Sequence, residues 1–409
     1  MGIDKYWIGG KAGLQGDFEQ DENWETAAGG ATVIPVSTDT IHFTNRAGIA
    51  DTVGTDGYQI IGKHWSVTKT PNQGAKAFDG MNVSENFEGR IGRVMQVGGY
   101  AGDKIIKVGE TSTVTVPVHN QGFPNLLVNG DTIIMAGTQG YDGRFQVHDV
   151  ASYTCQIDTA YAVPPEENVA SGTATATVPL RLTLNAGKQI TVRNNESTYL
   201  ECGDGTGDKG IPAVMFDSDS GFLSLSTHPD NVAGEIFTDV LVMGNGNLTL
   251  QSNTRCDTLK VFGASPTVSI DTGCQDGSGD GIDLTAHGGA TYSNSKVGSV
   301  EVVSPGSVTV GKTDLDPATT LDIEQLTGTG GTFRWRAGGT LKQFTIYNLT
   351  LEVVGDGAKT LGNSLPLTMY GGTFDASGQQ GSLVFNTGDK IDYKAGTIKP
   401  PYGVLAGWA

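Results

Sequence analysis

Short runs of alternating apolar and polar residues, each closed by glycine, asparagine or aspartate, fill almost the whole chain. Asp257–Ile270 (DTLKVFGASPTVSI) and Ser299–Val310 (SVEVVSPGSVTV) alternate with a period of two, the period of a strand with one buried face. No window long enough for a helix carries a convincing 3.6-residue period. The pattern therefore predicts an all-β chain, with glycine and asparagine marking its turns.

From about residue 178 to 400 the runs recur in a loose register. Asp239–Leu250, Asp257–Ile270, Ser299–Val310, Leu321–Trp335 and Leu341–Val354 each read as strand, tight turn, strand. Leu241, Leu259, Val300, Leu321 and Phe344 open these units at separations of 18, 41, 21 and 23 residues. The polar, glycine-rich stretch Asp271–Lys296 fills the long gap. A period near 20 predicts a parallel β-helix (solenoid), in which each repeat buries its apolar face only by stacking on its neighbours. An antiparallel sandwich alternates in the same way, and the recurrence weighs toward the solenoid. About ten coils at roughly 4.8 Å each would make a body about 50 Å long.

Residues 100–177 break this rhythm. Lys104–Lys107, Ser112–Val118, Thr132–Ala136, Phe145–Val150 and Tyr153–Ile157 read as a compact set of strands, with an Asp-Gly hairpin signal at Gly140–Gly143. The proline-containing, polar stretch Val163–Thr173 follows as a linker. The expected organisation is an N-terminal attachment segment with the first β-helix coils (1–99), a small inserted β-barrel (100–177), and a parallel β-helix with a C-terminal cap (178–409).

Composition supports β structure. There are 60 glycines in 409 residues, and charged residues make up 17% of the chain, against roughly 25% in an average domain. The formal net charge of −18 repels phosphates, and no run of Lys and Arg offsets it, so nucleic-acid binding is not expected. No apolar stretch approaches the roughly 20 residues of a membrane span, and Met1–Gly10 lacks the pattern of a signal peptide. Four cysteines (Cys155, Cys202, Cys256, Cys274) are too few for a disulfide scaffold and read as buried thiols of a protein made in a reducing cytoplasm. Cys256 and Cys274, 18 apart, fall where adjacent coils would bring them near one another.

The search for chemistry yields weak candidates. Glycan cleavage needs two convergent carboxylates, and Asp217 and Asp219, with Asp239 one coil later, are the available set. Aspartates in a D-S-D-S-G stretch are more often turn formers. Asp276–Asp283 (DGSGDGID) imitates the start of a calcium loop but carries His287 where the bidentate glutamate belongs, and Gly203–Asp208 (GDGTGD) is a shorter version. Histidines 42, 64, 119, 148, 228 and 287 lack zinc-site spacing. No GxSxG or Walker motif occurs. The expectation is no catalytic, cofactor-binding or metal-binding residue, no cofactor, and no enzyme. Trp7 and Trp24 read as caps on an open solenoid end, with sugar stacking as the alternative. Lys399–Ala409, with two prolines and Trp408, either caps the last coil or docks on a neighbouring subunit.

Two stretches resemble known proteins. Tyr6-Trp7-Ile8-Gly9-Gly10, with Asn23-Trp24, Gly29-Gly30, Pro35 and Asp39–Phe43, resembles the opening of β-helical proteins of tailed-bacteriophage virions. Val128–Thr138, Tyr141–Val147 and Ile157–Tyr161 resemble small β-barrel modules of phage structural proteins. The resemblance implies a virion component: a capsid decoration (cement) protein, a head fibre or a tailspike. It further implies a homotrimer made in the host cytoplasm and residing on the capsid surface. Its partners would be the other copies and the major capsid protein, with host surface glycans bound or cleaved in the tailspike alternative and no nucleic acid or membrane.

Overall fold

The computed structural model describes residues 2–8, 21–26, 30–44, 52–53, 59–60, 77–87, 89–109, 111–119, 125, 127, 129–159, 166–185, 187–203, 213–228, 236–251, 254–271, 274–276, 281–293, 295–310 and 321–401. Among the described residues the fold is all-β, with one three-residue 3-10 turn at Asp21–Asn23. The chain divides into two compact units, Met1–Ile211 with Thr227–Glu235, and Pro212–Ser226 with Ile236–Ala409.

In the first unit, Asp4–Trp7, Thr40–Phe43, Gly80–Val83 and Gln189–Val192 lie parallel in that order. Ala77–Phe78, Leu180–Leu184 and Ser197–Cys202 form a second parallel set. The registers expose an insertion: Met81 pairs with Ile190 and Phe78 with Leu184, although about a hundred residues separate the partners in sequence. Between them the chain leaves the parallel strands and builds a closed antiparallel barrel.

That barrel has six strands, ordered Arg93–Val97, Thr113–His119, Thr154–Asp158, Gly143–Ala151, Thr132–Ala136 and Ala174–Val178, the last pairing back to the first. It is the small β-barrel anticipated from the sequence. Two strands missing from that reading, Arg93–Val97 and Ala174–Val178, complete the closure, which removes the exposed edges an open sheet would carry. Alternate residues point inward: Val114, Val116 and Val118 from one strand pack with Ile133, Met135, Val147 and Ile157 from three others. Each such buried side chain contributes about 1.5–3 kcal/mol relative to exposure.

The second unit stacks strand–turn–strand repeats in two parallel sets. In one set Val214, Val240, Leu259, Leu284, Val300, Leu326, Phe344 and Leu367 align in register, and all are buried. In the other, Val308, Phe333, Leu351 and Phe374 form an equivalent buried row. The register corrects two details. Leu241 pairs with Lys260 on the outward face, and Val240 is its inward neighbour. The stretch Asp271–Lys296 contains a further repeat, whose strand Ile282–Ala286 places Leu284 25 residues after Leu259 and 16 before Val300.

Glycine turns make the stacking possible. A Cβ at Gly288 would lie 2.1 Å from the Gly263 carbonyl oxygen, so the turn above can approach only where no side chain intervenes. At the last repeats Lys359 is buried, and its ammonium donates to the carbonyls of Val354 (3.0 Å), Gly357 (3.1 Å) and Arg336 (3.2 Å). It lies 5.7 Å from the centre of the Trp335 ring, so three dipoles and an aromatic face take the place of water.

Candidate functional site

Of the carboxylates singled out for glycan cleavage, Asp239 stands apart from Asp217 and Asp219. Asp217 and Asp219 are exposed in a turn that the Ser218 hydroxyl closes by accepting the Gly221 N–H at 2.8 Å. Val214 pairs with Val240, which sets Asp239 opposite Ala213, four residues from Asp217. At about 3.3 Å per residue that is about 13 Å, beyond the roughly 5–9.5 Å of a glycosidase pair. Asp239 is also engaged, accepting from Lys260 Nζ at 2.7 Å and Thr258 Oγ1 at 2.5 Å. These hydrogen bonds, Lys260's first, hold its carboxyl below the ordinary value.

The remaining candidates are structural in their surroundings. Asp283 accepts the Ser299 hydroxyl at 2.6 Å and the Ser299 N–H at 3.2 Å, while residues 277–280 of the calcium-like loop lie outside the described residues. Residues 204–208 of the shorter loop, His64, Trp408 and the C-terminal residues 402–409 also lie outside them. Among the described residues no group of three or more His, Cys, Asp or Glu is placed to hold a metal ion. Trp7 and Trp24 are buried edge-to-face at 5.2 Å, and Phe43 sits 5.7 Å from Trp24 and 5.7 Å from Phe87. Buried rings offer no face to a sugar, so the pair serves as packing at the first parallel strands. All four cysteines are buried; burial pushes the thiols of Cys155 and Cys274 up to about 12 and that of Cys256 well above its ordinary value. Protonated thiols of this kind are poor nucleophiles.

Two constellations that sequence reasoning missed stand out in the first unit. The first is a buried ionic cluster. Arg181 and Glu201 pair directly across adjacent parallel strands on the face turned away from the apolar rows. The barrel covers that face, and its Arg144 guanidinium donates to Glu201 Oε2 while Arg181 Nε donates to Oε1 at 2.5 Å. Arg181 also donates to Thr132 Oγ1 at 3.0 Å, tying a second barrel strand to the same point. Burial alone would raise the Glu201 carboxyl, but the charges of Arg181 and then Arg144 outweigh it and hold it down at about 2. An ionised carboxylate between two guanidinium groups has no proton to exchange near neutral pH, so the cluster fastens the barrel in place. Its sequence signal was present: opposite charges 20 residues apart, one repeat period, at outward strand positions.

The second constellation lies at one end of the barrel. His119 Nε2 lies 3.0 Å from Asp103 Oδ2, which also accepts the Tyr100 N–H at 3.1 Å. The rings of Tyr100 and Tyr153 flank the imidazole at 4.6 and 5.6 Å. His119 is buried, whereas Tyr100 and Tyr153 are 48% and 45% exposed. Three separate segments build this face, which is why no linear motif announced it. It presents two amphipathic rings around a fixed polar dyad, a surface suited to recognition.

Comparison with known proteins matches no family model, no curated protein and no solved structure.

Proposed function

We propose that the chain is a structural component of a tailed-phage virion, a homotrimeric capsid decoration (cement) protein or head fibre that stabilises the capsid. In this reading the stacked repeats form a parallel β-helix that projects outward, and the barrel with the N-terminal strands is the attachment element. One observation carries it: the buried apolar row runs in unbroken register from Val214 to Leu367, each repeat depending on the next. Stacking of that kind makes a stiff body. The virion assignment itself comes from the resemblance of the N-terminal and barrel segments to phage proteins.

The test removes the barrel. Gly92 lies beside Val178, since a Cβ there would be 2.9 Å from the Val178 carbonyl oxygen, so Gly92 can be joined to Pro179 with little rearrangement. The deletion variant should keep its β-sheet circular dichroism and lose binding to particles assembled without the protein. Binding at the wild-type level would remove the barrel from the attachment role.

The exposed Tyr100 and Tyr153 around His119 favour one second reading, a tailspike-like protein that binds host surface polysaccharide. Retention of capsular glycan by the wild type but not by a Tyr100→Ala/Tyr153→Ala variant would support it. New reducing or unsaturated ends after incubation would extend that reading to cleavage.

A further inference from the structure

One edge of the second unit carries no charged residue over seven successive turns. These turns read MGNG (243–246), FGASP (262–266), HG (287–288), VSPG (303–306), TGG (329–331), YNL (347–349) and YGG (370–372). They lie directly on one another: the N–H groups of Phe262, His287, Tyr347 and Tyr370 donate to the carbonyls of Val242, Val261, Gly328 and Ile346 at 2.8–2.9 Å. The first residue of each turn therefore falls in one column. At about 4.8 Å per repeat, the column from Met243 to Tyr370 is about 29 Å long. Charge returns only at its two ends, with Asp217 and Asp219 before it and Lys394 after it. The strand faces behave differently, carrying Asp239 with Lys260, Glu324 with Lys342, and Arg334 with Glu352.

The column is also apolar and exposed. Met243 is 42%, Phe262 39%, and Tyr347 and Tyr370 each 50% exposed. Tyr347 stacks on Tyr370 at 5.2 Å and 6°, and Phe262 on His287 at 4.9 Å and 3°. The three half-exposed aromatic rings alone offer on the order of 300 Å², the scale at which apolar patches mark interaction sites.

We infer that this edge is the surface through which copies of the chain pack against one another, its occupant being the same edge of a neighbouring copy. Copies that each carry a net charge of −18 repel, and they approach at least cost where neither surface brings a charge to desolvate. Interface cores are depleted of charged residues and enriched in aromatic residues and Met, as this column is. Glycine-rich turns let backbones come close, and a straight stripe along the stacking direction suits side-by-side copies. The inference rests on the self-association within the proposed virion role.

Sedimentation equilibrium of the full chain, over a range of concentrations, tests it. The wild type should sediment as an oligomer, and Tyr347→Glu/Tyr370→Glu should sediment as a monomer with unchanged far-UV circular dichroism. Phe262→Lys, four repeats before Tyr347, should weaken association by roughly tenfold or more. Val384→Glu, at a similarly exposed apolar residue on the strand Leu383–Phe385 and outside the column, should leave the mass unchanged. An oligomer that resists both column variants would overturn the edge assignment alone. A wild-type monomer at every concentration would overturn it together with the homotrimer.

Discussion

Glu201 is fully buried although its strand position points away from the apolar rows, because the barrel lies over it and supplies Arg144. Removing one member of such a cluster leaves the others charged and unpaired. Glu201→Gln is therefore expected to cost about 3–5 kcal/mol, read as faster hydrogen exchange in Ser197–Cys202 and the barrel strand Gly143–Ala151. The same residue sets an acid limb. Its carboxyl is held at about 2, below the ordinary 4.5, so its stabilisation is present in full above about 4.5 and is lost as the pH falls toward 2. Exchange protection of these strands should fall across that window in the wild type and change less in Glu201→Gln. Equal acid slopes in the two proteins would refute the assignment. Lys359→Met should likewise destabilise the last repeats, by about 2 kcal/mol or more, because the carbonyls of Val354 and Arg336 lose a donor in a buried place. Urea denaturation followed by tryptophan fluorescence, with Trp335 beside the site, would show it.

Among the elements, the turns are the most constrained and the strands the most legible. Gly288→Val would drive a Cβ to within 2.1 Å of the Gly263 carbonyl oxygen and 2.3 Å of that of Phe262, and neither backbone can withdraw without breaking the stack. A large drop in melting temperature is expected, with protection lost first in Ile282–Ala286 and Gly289–Ser293. An unchanged melting curve would show that the turns are not in contact. Alternation revealed the strands because one face of each is buried, as in Ser307–Val310. It misjudged Phe237–Val242, where Val240, Leu241 and Val242 are apolar in succession and leave the parity open. It passed over Ala174–Val178, whose alanines suit a crowded barrel interior but give little strand signal. It took Asp271–Lys296 for an excursion because the strand at Ile282–Ala286 is short and flanked by glycine and polar residues. The Tyr100–His119–Tyr153 face was hidden for another reason, since it joins three separate segments that meet only in the folded barrel, and of the ionic cluster only Arg144, reaching Glu201 from the barrel, lay beyond the repeat pattern.

For the molecule as a whole, charge and repetition point the same way. Among the described residues of the second unit, carboxylates on the strand faces meet lysine or arginine, while the edge of seven stacked turns carries no charge. In the second unit each repeat gains stability from its neighbours, and within the first unit the barrel is an insertion among parallel strands, pinned by one ionic cluster. Stacking of this kind holds a shape, which is what the proposed virion role requires. The most direct test is the copy number of the chain relative to the major capsid protein in purified virions, measured by quantitative mass spectrometry. The account predicts a fixed, lattice-like ratio, with many copies per particle. Absence from the virion, or only a few copies at one vertex, would contradict capsid decoration, and the second result would move the protein to the tail.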